Sequence, residues 1–174
     1  MEQIKSNLLL RAVDITGTIG ATVSNSVGTY SQAGAECSWN MNWKILLGDN
    51  YDNFTVFALR LNNFSSVAQN FSSIAANQMA SIQISGLNWV NNGYRSSSQN
   101  NTGRCALGIA PLTNSSNTTA TYPNDTAIAY FSRPGKYDPI TIGLYQLISD
   151  SYIVQNIGAG LPLFACLFDV YPVY

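Results

Sequence analysis

Residues 38–47, Ser-Trp-Asn-Met-Asn-Trp-Lys-Ile-Leu-Leu, alternate in polarity with a period of two. In an extended chain Trp39, Met41, Trp43, Ile45 and Leu47 share one face, and Ser38, Asn40, Asn42 and Lys44 share the other. Successive side chains of a strand point to opposite sides, so the pattern predicts a strand over 38–47 with one face buried. Such a face must be covered by a second layer. That requirement directs the search along the chain to further strands.

They recur to the C-terminus. Residues 8–16 read as a first strand, with a short strand over 19–23 inside the Gly/Ser/Thr-rich stretch 17–35. After the turn-like Gly48-Asp49-Asn50, residues 53–62 carry Phe57, Leu59 and Leu61 on one face and Phe54, Val56 and Ala58 on the other, which predicts a strand covered on both sides. Residues 64–80 read as a loop, with Phe64, Val67 and Phe71 spaced for a short amphipathic helix. Residues 81–90 read as a strand whose apolar phase moves from Ile82 and Ile84 to Leu87 and Trp89, which suggests a bulge at Gly86. A polar loop over 91–102 precedes a strand at 103–110. The Ser/Thr/Asn-rich 113–123 offers little apolar area and reads as an exposed loop.

Strand 126–132 stops at the turn Arg133-Pro134-Gly135-Lys136. Strand 139–149 has Ile140, Ile142, Leu144 and Ile148 in phase, with Tyr145 and Leu147 opposite. The last strand, 161–171, alternates Phe164, Cys166, Phe168 and Val170 with Leu163, Ala165 and Leu167. About eight strands, almost no helix and long connections predict an all-β chain: an eight-stranded antiparallel jelly-roll sandwich of two four-stranded sheets. An immunoglobulin-like sandwich is the runner-up, although it usually needs only about 100 residues. The expected division is 1–35, an N-terminal strand and flexible arm, and 36–174, a single jelly-roll domain.

Charge is scarce. Charged residues make up 10% of the 174, against roughly 25% in an ordinary globular domain. Two explanations fit. Neighbouring subunits cover much of the surface, as charge-poor interface cores suggest, or the chain is secreted and solubilised by sugar. The first is preferred. The seven Asn-x-Ser/Thr sequons at Asn53, Asn63, Asn70, Asn100, Asn114, Asn117 and Asn124 follow mainly from an Asn/Ser/Thr-rich composition, and no signal peptide is visible to route the chain to glycosylation. No stretch approaches the ~20 apolar residues of a membrane-spanning helix. The eight Lys and Arg residues are scattered, with a net charge of −1. They form no basic patch able to neutralise phosphates, so direct nucleic-acid binding is not expected.

Catalysis has little to work with. The chain contains no His, which removes the commonest general base and metal ligand and every Ser-His or Cys-His pair. The nine acids are Glu2, Asp14, Glu36, Asp49, Asp52, Asp125, Asp138, Asp150 and Asp169, most of them at turns or strand ends. Asp169 alone lies inside an apolar strand, where pairing with an Arg or burial at an interface is the expectation. Asp49, Asn50 and Asp52 are too few oxygens for a calcium loop. Cys37, Cys105 and Cys166 match no metal-binding spacing. Cys166 reads as a buried thiol, with one disulfide elsewhere left open. No catalytic residue, metal or cofactor is assigned. Trp39, Trp43, Trp89, Tyr94, Tyr130, Tyr145, Tyr152, Tyr171 and Tyr174 are read chiefly as packing residues, with a sugar platform as the alternative. The apolar tail Tyr171-Pro-Val-Tyr174 is expected to dock against something.

The segment Cys37–Asn63, with its aromatic alternating strand, short turn and Tyr51-Asp-Asn-Phe54 leading into a second strand, resembles the opening strands of single jelly-roll viral capsid proteins. The run Ile82–Tyr94 and the terminal strand Leu163–Val170 fit the later strands of that family. The likeness spans most of the chain and is one of style rather than of a strict signature. It implies a structural, non-enzymatic virion protein assembled inside the host cell. Because a basic N-terminal arm is missing, it implies a penton or minor capsid subunit. Such a subunit would form a homo-oligomer, a ring of five in the penton case, beside neighbouring capsid proteins, with residues 17–35 reaching across. The alternative is a carbohydrate-binding β-sandwich, a lectin or fibre-head-like receptor-binding domain, with Trp89 and Tyr94 at its sugar site. A glycoside hydrolase on the same fold is a third reading and needs two carboxylates across a cleft.

Overall fold

A computed structural model describes residues 6–15, 18–24, 30–33, 36–66, 78–91, 103–112, 118–122, 128–147 and 164–174. Among them are twelve strands and two short helices. In order they are β1 (Ser6–Ile15), β2 (Thr18–Ser24), β3 (Tyr30–Ala33), β4 (Glu36–Asn40), α1 (Trp43–Leu47), α2 (Asn50–Asn53), β5 (Val56–Ser66), β6 (Gln78–Ser85), β7 (Trp89–Asn91), β8 (Cys105–Leu112), β9 (Thr118–Thr121), β10 (Ile128–Ser132), β11 (Pro139–Gln146) and β12 (Phe164–Pro172).

Every pairing is antiparallel, and the strands form two sheets. Sheet A runs β2-β1-β12-β5-β10-β7, with β9 also on β5; sheet B runs β3-β4-β11-β6-β8. The all-β expectation holds. The count does not: the sheets have seven and five strands rather than four each. The short strand foreseen at 19–23 is present as β2; β3 and β9 are additions, and β7 is the far end of the expected 81–90 strand, set apart as an element of sheet A. Strand β1 lies inside sheet A, between β2 and β12.

The core lies between the sheets. Leu8 and Leu10 on β1, Phe57, Leu59 and Leu61 on β5, Phe131 on β10, and Phe164, Cys166, Phe168 and Val170 on β12 face Trp39, Ile82, Ile84, Cys105, Leu107, Ile140, Ile142 and Leu144 of sheet B. Burying one such aliphatic or aromatic side chain stabilises the fold by roughly 1.5–3 kcal/mol before the entropy of ordering is subtracted. The rings interlock, with Trp39 edge-on to Phe164 at 6.5 Å and Phe64 stacked on Phe164 at 6.1 Å.

Two bulges adjust this packing. Opposite β12, strand β5 carries one extra residue between Leu61 and Phe64, so its inward phase shifts there. The shift also divides one edge of β5 between two partners: β10 pairs with Val56–Arg60 and β9 with Asn63–Ser66. A second irregularity lies between β6 and β8, where Ile82 pairs with Gly108 and Gln83 with Ala106. A side chain at Gly108 would meet Leu61 Cδ2 at 2.8 Å and the Tyr122 ring at 2.9 Å, so the glycine makes room for the contact between sheets.

The 38–47 strand is overturned. The chain is extended through Asn40 and then turns into α1. Asn42 caps the helix, its side-chain oxygen accepting from the Ile45 N–H at 3.2 Å, and Gly48 (φ +56°) ends it. Trp43, Leu46 and Leu47 are buried at helical spacing, while Ile45 turns out to solvent.

Three other readings change. Gly86 makes no bulge; at φ +92° it ends β6 in sheet B, and the chain crosses to β7 in sheet A. Thr118–Thr121, expected in a loop, pairs with β5 because main-chain hydrogen bonds do not require apolar side chains. Residues 64–66 and 78–80, expected at the ends of a loop, continue β5 and open β6. The helix suggested by Phe64, Val67 and Phe71 falls largely outside the described residues, as do Ile148 and Leu163.

Candidate interaction surfaces

One end of the sandwich is a tightly bonded cap. It comprises α1, α2, the turn at 86–88, residues 133–138 and the C-terminus. Trp43, wholly buried, donates its main-chain N–H to the Lys136 carbonyl at 3.0 Å and its indole N–H to the Asp138 carbonyl at 2.8 Å. The Tyr51 hydroxyl donates to the Pro134 carbonyl at 2.9 Å. Arg133 returns the link, donating to the carbonyls of Tyr51 and Asp52 at 3.3 and 3.2 Å. Asp138 accepts from the Gly135 N–H at 2.7 Å, the turn role expected of such an acid.

Lys44 pairs with Asp52 at 2.7 Å, and the hydrogen bond to Asp52 raises the Lys44 pKa, with their charge attraction adding to it. Asp52 thus serves an ion pair. Among the described residues no group of three His, Cys, Asp or Glu side chains is placed to hold a metal. The cap exposes Lys44, Asp49, Asp52, Arg133, Lys136 and Asp138. The C-terminal tail docks here: Val173 donates to the Val56 carbonyl at 3.0 Å, and Tyr174 packs edge-on against Phe54 with centroids 4.9 Å apart. The tail is thus tied to the chain through Val173 and the edge of Phe54, while Tyr174 remains 77% exposed.

A second surface is the outer face of sheet A. Asp169, between inward-facing Phe168 and Val170, points outward and is nonetheless buried. Its carboxylate pairs with the Arg60 guanidinium on β5 and accepts from Asn62 at 3.5 Å. The pairing with an Arg foreseen for Asp169 is present. Next along, Tyr171 and Tyr130 flank the fully buried Ala58 from β12 and β10. Burial chiefly raises the Tyr171 pKa.

The third is the outer face of sheet B. There the Tyr145 ring lies back over Gly143, where a Cβ would meet it at 2.6 Å. Arg104 stacks on the ring, its guanidinium carbon 4.1 Å from the centroid. Ser38 and Thr141 hydroxyls meet at 2.7 Å across β4 and β11. Towards the end away from the cap this face becomes apolar, with Met79, Ile109 and Leu147 exposed.

Several of the residues singled out for a sugar platform are engaged within the fold. Trp39, Trp43 and Tyr145 are buried. Trp89 packs edge-on against Phe131 and donates its indole N–H to the Gly103 carbonyl at 3.1 Å, so its polar edge is engaged. Tyr94 and Tyr152 lie outside the described residues, as do Glu2, Asp125, Asp150 and the side chains of Asp14, Glu36 and Cys37. Of the sequons, Asn53 is exposed at the end of α2 and Asn63 donates to Thr121 at 3.1 Å; the other five lie outside the described residues. Cys105 and Cys166 are buried.

Comparison with family models, curated proteins and solved structures returns no match. Among the described residues no helix is long and apolar enough to cross a membrane.

Proposed function

We propose that this chain is a structural virion protein, a self-assembling single jelly-roll subunit of the penton or minor capsid type. The nested strand pairing carries the reading. Strands β1 with β12, β4 with β11, β5 with β10, and β6 with β8 pair as an eight-stranded ribbon folded in half would pair. Rolling that ribbon interleaves its strands into β1-β12-β5-β10 and β4-β11-β6-β8, the orders found within sheets A and B. Such nested wiring supports a jelly roll, an architecture used by capsid and lectin domains.

Charge distribution favours the capsid side of that choice. Among the described residues, exposed charge gathers at the cap, while β6, β8 and β11 carry none. A surface so poor in charge suits burial between subunits. The function is then geometric: a rigid body whose faces set the angles of a shell.

The test is to recover particles with an antibody raised against the chain and image them in vitreous ice. Symmetric density for this sandwich within the shell is expected, and its position separates a vertex from an accessory role. Particles whose shells lack the chain would overturn the proposal.

A further inference from the structure

The outer face of sheet B ends in an apolar patch built by strand register. Met79 pairs with Pro111 and Ser81 with Ile109, which puts Met79, Ile109 and Pro111 on one face of β6 and β8. Gln146 pairs with Ala80, which sets Leu147, one residue past β11, level with Met79. Met79 is 45%, Ile109 46% and Leu147 49% exposed, and Pro111 is exposed too. Single exposed apolar residues are ordinary on a protein surface, whereas several on adjacent strands mark an interaction site.

We infer that a second copy of this chain seats on this patch, so that sheet B packs against sheet B about a two-fold axis; the inference rests on the assembly reading above. Charge matching identifies the occupant. Strands β6, β8 and β11, eight residues each, supply no Asp, Glu, Lys or Arg. The patch itself therefore offers no charge to a partner, the nearest cation on this face being Arg104, held over the Tyr145 ring, and it is best matched by a surface equally free of charge. The same face of another copy is such a surface, and a two-fold axis brings like residues together. Open pairing along the β8 edge is disfavoured, because the Tyr122 hydroxyl donates to the Ile109 carbonyl at 2.9 Å and Pro111 has no N–H to give. The contact is therefore made by side chains on the sheet face. The charged cap lies at the other end and stays in water.

The experiment is light scattering on the full chain over a range of concentrations, with Met79→Glu/Ile109→Lys as the face variant. Ile45→Lys/Tyr137→Glu, at the cap, is the control. The wild type and control are expected to associate in even-numbered assemblies, and the face variant to have at most half their mass. A face variant as large as the wild type overturns this interface while leaving assembly by another route intact. A wild type that is monomeric alone, yet present in imaged shells, overturns it in favour of a different shell protein. Should the face variant fail to fold, Leu147→Cys with a short thiol-to-thiol cross-linker gives the second reading. Linked dimers beyond the wild-type background support the interface, and their absence overturns it.

Discussion

Arg60 and Asp169 form an ion pair on the side of sheet A that faces away from the core, and both are nevertheless shielded from water. Neighbouring strands β5 and β12 set them directly opposite one another. A buried pair of this kind is costly to break from one side, because the remaining charge is stranded. Asp169→Ala is expected to destabilise the chain by about 3–5 kcal/mol. The double change Arg60→Leu/Asp169→Leu should recover much of that loss. Urea unfolding of both variants measures the difference, and equal losses would refute the account.

Alkaline pH should weaken the fold through Tyr122. Burial, with a smaller contribution from Cys166, pushes its pKa up to about 12, against about 10 for an ordinary tyrosine. The folded state therefore keeps a proton that the unfolded chain releases. Stability from this group is complete below pH ~10 and is lost as pH rises towards ~12. Tyr171 moves in the same direction. Tyr122→Phe should flatten the fall in melting temperature between those pH values without abolishing it. An unchanged pH profile would contradict this.

The Asn42 cap separates a helix at 43–47 from the strand that alternation suggests. Asn42→Ala is expected to cost about 0.5–2 kcal/mol, and Asn42→Asp, which keeps the accepting oxygen, much less. Thermal melts followed by circular dichroism decide it. A strand at this position would make the two substitutions equivalent.

Gly86→Ala should be strongly destabilising. At φ +92° a side chain is strained, and a Cβ would come within 2.5 Å of the Pro139 carbonyl oxygen. The backbone conformation alone is worth ~1–3 kcal/mol, and the clash adds to it. Denaturant midpoints compared with Ser85→Ala, one residue earlier, test whether the effect belongs to this turn.

Much of the architecture was legible in local pattern. Alternation at 57–61, 140–144 and 164–170 located inner strands, because a half-buried pleat demands period two. The lone acid in β12 announced a partner, because a carboxylate amid apolar residues needs one. Other features were present but masked. Trp39, Met41 and Trp43 alternate as a strand does, yet Asn42 and Gly48 bracket a short helix, and period two hid the caps. No local signal marks the patch at Met79, Ile109 and Leu147, since it exists only once three distant segments lie side by side.

The amino-acid order by itself determined that this chain would be built of strands, where most inner strands run, and that its surface would carry little charge. Those properties depend on near neighbours and on composition. Which strands pair, how the two sheets are interleaved, and which apolar residues are left outside were decided only in the tertiary structure. Antiparallel ladders join residues more than a hundred positions apart, such as Arg60 with Asp169, and the hydrogen bonds that choose among such partners have no periodicity along the sequence.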